Sequence, residues 1–119
     1  MLIKQILKSE NGEDAVYINL SLPDFGNGIL KKKAEPFYRE LAEKYILFAK
    51  KRLLPLAVKT QVKENFKPFS AVMKYVTEED EKQMTVKIRT FVFDGVTRRE
   101  GRTAIQRWDK KTGILLGKK

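Results

Sequence analysis

Between Ala15 and Leu22 the chain alternates. Val16, Ile18, Leu20 and Leu22 are apolar, and Tyr17, Asn19 and Ser21 stand between them. A period of two sends successive side chains to opposite faces, so this stretch predicts a strand with one face in a core. Leu2 to Leu7 mixes aliphatic residues with Lys4 and Gln5 and predicts the partner strand. Glu10-Asn11-Gly12-Glu13 lies between the two; Asn-Gly tolerates the positive φ of a tight turn and predicts a hairpin. Pro23 closes the second strand, and Pro23 to Gly28 is rich enough in breakers to be a loop.

The period then lengthens. Phe37, Leu41, Tyr45, Phe48 and Ala49, with Tyr38 and Ala42 beside them, recur at helical spacing. Arg39, Glu40, Glu43, Lys44, Lys50 and Lys51 take the opposite side. The pattern predicts a helix from Ala34 to about Leu54, starting between Ile29 and Pro36, with Pro36 in the first turn where its missing N–H costs nothing. Pro55 is expected to end or kink it near Leu54, and a second short helical piece fits about Leu56 to Phe66.

Ser70 to Thr77 predicts a third strand, Glu78-Glu79-Asp80-Glu81 an acidic turn, and Gln83 to Phe93 the longest strand. In that strand Met84, Val86, Ile88, Thr90 and Val92 share one face, and Thr85, Lys87, Arg89, Phe91 and Phe93 the other. Asp94-Gly95 opens a loop through Arg98-Arg99-Glu100-Gly101. Arg102 to Trp108 follows as a strand, Asp109 to Gly113 as a tight turn, and Ile114 to Leu116 as a short edge strand. The order β-β-α-β-β-β predicts a single α+β domain over residues 1–119, one long helix packed on an antiparallel sheet of four to five strands.

Composition narrows the chemistry. The 119 residues contain no cysteine and no histidine. Disulfides, thiolate metal sites and a cysteine nucleophile are excluded, and the commonest general base and metal ligand are missing. The serines Ser9, Ser21 and Ser70 have no histidine to activate them. Asp94 and Asp109 read as turn formers rather than acid–base pairs. Gly26-Asn27-Gly28 lacks the Lys-Ser/Thr ending of a phosphate loop. No catalytic set, cofactor site or metal site is therefore expected, and a metal-free hydrolase is a distant third reading. The 25 Lys and Arg outnumber the 15 Asp and Glu, giving a formal charge of +10. That excess attracts an acidic protein, nucleic acid or an anionic membrane, and equally suits a plain solvated surface. No apolar run reaches the length of a membrane span. With Met1 as the native start the chain is expected in the cytoplasm; as a trimmed part of an exported protein, outside it.

Tyr17-Ile18-Asn19-Leu20-Ser21-Leu22-Pro23, a helix rich in Lys and aromatics, Lys67-Pro68-Phe69-Ser70-Ala71, the strand into Phe93-Asp94-Gly95, and Arg102-Thr103-Ala104 with Trp108-Asp109 and Lys111-Thr112-Gly113 occur in that order. Together they resemble the family called domain of unknown function 3298, the C-terminal domain type of the anti-sigma factor RsiV, from Ala15 to about Leu116. Members usually carry Gly-Gly-Ala-His after the long strand, where this chain has Asp94-Gly95-Val96-Thr97. Most continue beyond the Thr112-Gly113 turn, so the resemblance is to a truncated member. It implies the fold and a non-enzymatic binding role. RsiV-type members bind lysozyme, but no lysozyme-contacting residue carries over to a position of this chain.

Two groups of residues stand out as a candidate binding surface. Arg98, Arg99, Arg102 and Arg107 surround the Asp94-Gly95 turn, and arginines on a loop grip carboxylate or phosphate through a bidentate fork; the alternative is a solvated rim. Lys87, Arg89, Phe91 and Phe93 alternate basic and aromatic on one strand face. With Tyr17 and Tyr75 they match a base-stacking platform for nucleic acid; the alternative buries the two phenylalanines under a loop or the second helical piece. The clusters Lys31-Lys32-Lys33 and Lys50-Lys51-Arg52 read as solvation, since the helix's apolar stripe is needed for the sheet. An exposed sheet edge or an uncovered sheet face would support a homodimer.

Overall fold

The alternation of Ala15–Leu22 becomes strand β2, Asp14–Ser21, whose Val16, Ile18 and Leu20 are buried while Tyr17 and Asn19 stay exposed. A computed structural model describes residues 1–63 and 65–118. Strand β1, Leu2–Lys8, pairs antiparallel with β2 through the Asn11-Gly12 turn, where Gly12 takes φ 84°. At the far end Met1 and Leu22 exchange both backbone bonds, each 2.8–2.9 Å.

Helix α1, Ile29–Phe48, begins at the early end of the expected range. Pro36 therefore sits inside it, not in its first turn; its ring is exposed, so solvent can reach the Lys32 carbonyl that it leaves without a donor. Pro55 neither ends nor interrupts the rod. Ahead of it, Ala49–Leu53 widens into a π-helical turn in which the Leu54 N–H donates to the Ala49 carbonyl, and α2, Leu54–Thr60, follows without a gap. Proline clashes with the carbonyl four residues back, and a widened turn before it relieves that crowding. The second helical piece thus continues the first and stops at Thr60; Glu64 of its expected span lies outside the described residues.

Strands β3, Phe69–Glu79, and β4, Gln83–Phe93, form a long hairpin closed at Asp80–Lys82, so Glu78 and Glu79 extend the strand rather than belonging to the turn. Three short strands follow: β5, Arg98–Glu100, β6, Ala104–Asp109, and β7, Leu115–Lys118. The seven strands make one sheet in the order β1-β2-β3-β4-β6-β7, with β5 on the remaining part of β4's edge. The expectation of four or five antiparallel strands needs correction. β2 and β3 run parallel, Val16 beside Phe69 and Leu20 beside Met73. The reason is the rod itself: a helix crossing over the sheet brings the chain back to the end from which it left, and the next strand starts in the same direction. The residues read as a loop at Arg98–Glu100 pair with β4 at Phe91–Phe93.

One face of this sheet carries the rod. Leu30, Ala34, Tyr38, Ala42, Ala49, Leu53 and Ala57 are buried against Val16, Ile18, Leu20, Ala71, Met73, Val86 and Ile88. Small alanines at the centre of the stripe let helix and sheet approach closely, while Phe37, Leu41 and Tyr45 pack at its border and Phe48 lies 38 % exposed. Tyr38 is fully buried and satisfied: its hydroxyl donates to Gln106 Oε1 (2.9 Å) and accepts from Trp108 Nε1 (2.8 Å). The rings of Phe25, Phe37, Tyr38 and Trp108 meet at 5.0–6.0 Å. This polar knot ties α1 to β6. The β6–β7 turn closes against the start of α1: Gly113 has φ 73°, and a Cβ there would meet the Lys33 side chain at 2.7 Å. Among the described residues no helix covers the other sheet face. The molecule measures 54 × 23 × 18 Å. Among the described residues no helix is long and apolar enough to cross a membrane.

Candidate binding surface

The pleat and the strand register sort the candidate residues between the two faces of the sheet. Register places Lys74 beside Arg89, Val72 beside Phe91, and Phe91 beside Glu100 of β5. Phe93 lies beside Arg98. All of these point to the face away from the rod, since Val86 and Ile88 on the alternate positions of β4 are in the core.

Phe91 is only 8 % exposed, yet what covers it is neither loop nor helix. The Arg98 guanidinium lies 4.2 Å from the ring centroid, Arg89 5.3 Å and the Lys74 ammonium 5.8 Å. Cations gather there because the ring face is electron-rich and the sheet leaves it open. Both the Arg89 Nε (2.8 Å) and Nη2 (2.6 Å) donate to Glu100 Oε1, so Arg89 is already neutralised. Lys87 is likewise 3.8 Å from Glu78. Among the described residues, Arg98 and Lys74 enter no ion pair. Lys74, Arg89, Phe91, Arg98 and Glu100 line a shallow depression of about 420 Å³.

Such a site can hold an anion. A guanidinium stacked on an aromatic ring keeps its N–H edge free, and that edge fits a carboxylate or phosphate. It is poorly suited to stacking a nucleobase on Phe91, whose open face Arg98 occupies.

The other candidates separate. Arg99 pairs with Val92 and so belongs to the opposite face from Arg98. Its charge faces the Asp94 carboxylate, which is held below the usual carboxylate range chiefly by N–H donation from Thr97 (2.7 Å) and Val96 (3.0 Å). Arg102 is exposed in the β5–β6 connection. Arg107 is on the open face but pairs with Thr85, six residues along β4 from Phe91, which at a strand's rise is about 20 Å. The four arginines form no single cluster. Tyr17 is 40 % exposed on the open face, whereas Tyr75 pairs with Ile88 and packs into the core, so it joins no platform. Lys74 and Glu100 belong to the site but carry no motif. Folding the hairpin about Asp80–Lys82 would have put Lys74 opposite Arg89; the pairing of Glu100 needed β5, which lacks strand character in its sequence.

Asp80, Asp94 and Asp109 do the same work at three turns. Each uses one Oδ1 to accept the N–H groups two and three residues on, at 2.7–3.0 Å, and these bonds are the first cause of their lowered pKa values. Burial pushes the Tyr45 hydroxyl up to about 12; it donates to the Phe91 carbonyl at 3.1 Å, directly behind the candidate site. Compared with protein-family models the chain matches none, and no curated protein is similar enough in sequence to count as a relative.

Proposed function

We propose that the chain is a non-enzymatic binding domain whose open sheet face receives an acidic segment of a partner protein. The observation that carries this is the Arg98 guanidinium over the Phe91 ring at 4.2 Å, beside Lys74, with no carboxylate partner of its own among the described residues. An aromatic floor under two cations favours a carboxylate attached to something apolar over a fully hydrated ion. The resemblance to the RsiV-type family agrees with a binding role. The nucleic-acid alternative draws on the net charge of +10 and on the exposed Tyr17, but it lacks a free aromatic platform at Phe91.

The test is calorimetric titration with an oligoglutamate peptide ending in Phe, with single-stranded DNA of equal charge and with lysozyme. The expected result is that the peptide binds and that Arg98→Glu with Lys74→Glu reduces its affinity at least about tenfold. Tighter DNA binding that falls steeply with salt and ignores the two substitutions would replace this reading with the nucleic-acid one. Lysozyme binding that the substitutions leave untouched would move the site elsewhere.

A further inference from the structure

The rod has a second surface that the sheet does not use. Around its π-helical turn every fourth residue faces the core: Ala49, Leu53 and Ala57 are buried, at 0 %, 6 % and 0 % exposure. The residues just before them, Phe48, Arg52 and Leu56, therefore form one flank, and Leu47, Lys51 and Pro55 form the outward row. All six are exposed, Leu47 by 49 % and Leu56 by 55 %. From Lys44 to Lys63 the sequence contains six Lys or Arg and no Asp or Glu. One of these, Lys44, is paired with Glu40 at 3.2 Å. Glu10 and Glu13 line a groove with Leu54, Val58 and Gln61 that reaches the outward row at Pro55 but includes none of Phe48, Arg52 and Leu56. The Phe48-Arg52-Leu56 side keeps cations and large apolar side chains together in solvent.

We infer that this outward side of the rod, centred on Leu47, Phe48, Lys51, Arg52 and Leu56, docks in the headgroup layer of an anionic lipid bilayer. A helix lying in that layer needs apolar side chains to enter the acyl boundary and basic ones to meet the headgroup phosphates. A nucleic acid would draw on the cations and have no use for exposed Leu47, Phe48 and Leu56. A second copy would bring Lys51 and Arg52 against their own kind. The bilayer satisfies both parts of the patch, and it leaves the opposite side of the sheet, with Arg98 and Lys74, facing away from the membrane. Docking is thus independent of the ligand proposed for that face.

Co-sedimentation of the whole chain with phosphatidylcholine vesicles, with and without phosphatidylglycerol, tests it. The chain is expected to pellet with the anionic vesicles and not with the neutral ones. Lys51→Glu with Arg52→Glu should lower the bound fraction about tenfold, in line with the loss of two basic contacts and the gain of two repulsions. Leu47→Ser with Leu56→Ser, two exposed positions whose change leaves the core alone, should weaken binding severalfold at unchanged salt dependence. Arg98→Glu should retain full vesicle binding, which separates failure here from failure of the acidic-partner reading. The inference is overturned if the chain ignores both vesicle types. It is also overturned if the Leu47→Ser, Leu56→Ser variant binds as well as the parent, because the contact is then only charge adhesion. The same holds if sedimentation shows a dimer that this variant abolishes, because the patch then belongs to a second copy.

Discussion

The two faces of one sheet differ more than any two segments of this chain. Residues one position apart on β2 meet opposite fates: Ile18 is 2 % exposed under the rod and Tyr17 is 40 % exposed on the other side. On β4, Val86 and Ile88 are in the core, while Phe91 is sheltered by charged side chains instead of apolar ones. The face under the rod is held by burial, which is non-directional and strong in sum. The open face is held by pairs such as Arg89–Glu100, which are weak in water and easily exchanged for a partner's groups. Stability is therefore concentrated on one side of the strands, and the recognition proposed above would use the other.

The largest effect should come from breaking the covered face. Ile18→Ala should destabilise by about 2–4 kcal/mol in chemical denaturation, whereas Ile6→Ala on the open face, where Ile6 is 52 % exposed, should cost less than about 1 kcal/mol. Equal costs would erase the distinction. Next comes the polar knot. Tyr38→Phe removes the donor to Gln106 and the acceptor for Trp108, leaving two buried groups unpaired, for an expected loss of about 2–4 kcal/mol. A loss below 1 kcal/mol would mean that the pocket re-pairs without the hydroxyl.

The pH dependence should divide in the same way. The Tyr38 hydroxyl is raised above its ordinary 10.0 by burial. The stability it contributes is complete below pH 10 and falls as pH rises above it, because the unfolded chain ionises first. Tyr38→Phe should make the fall in stability above pH 10 shallower, leaving the part that the raised Tyr45 hydroxyl contributes. The turn carboxylates Asp80, Asp94 and Asp109 are lowered from 3.8. Their contribution is complete above pH 4 and is lost as pH falls through their depressed values. Asn at all three positions should flatten the acid limb of the curve and leave the alkaline one alone. The smallest effect should be that of Arg98→Glu on stability, within about 0.5 kcal/mol, with its consequence confined to ligand binding.

Much of the covered face was legible because burial imposes a period. The two apolar sets of β2 and β4 and the stripe from Phe37 to Tyr45 declared themselves by spacing alone. The stripe's true centre, Ala34-Tyr38-Ala42, was harder to see, because alanine is small rather than strongly apolar and close approach selects it for size. The start of the rod at Ile29 falls within the expected range, but Pro36 sits inside it rather than in its first turn, and the rod runs on past Pro55. Propensity makes Pro55 a stop or a kink, whereas here it follows a widened turn; Pro36 is accommodated inside the helix because its ring is exposed to solvent. On the open face Phe91 stands out by its place in an alternating strand, whereas Lys74, which reaches its ring from the neighbouring strand, carries no such signal.

By itself, the sequence determined the absence of histidine and cysteine chemistry, the excess of positive charge, the hairpin at Asn11-Gly12, and which residues of each strand share a face. These are local properties, readable from residue type and spacing. It took the packed fold to set β2 and β3 parallel, to send Arg98 and Arg99 to opposite faces, and to bring Lys74 and Arg98 together over Phe91. Strand pairing joins residues far apart in the chain, and the direction of that pairing depends on how the rod crosses the sheet. No periodicity within a single strand records that crossing.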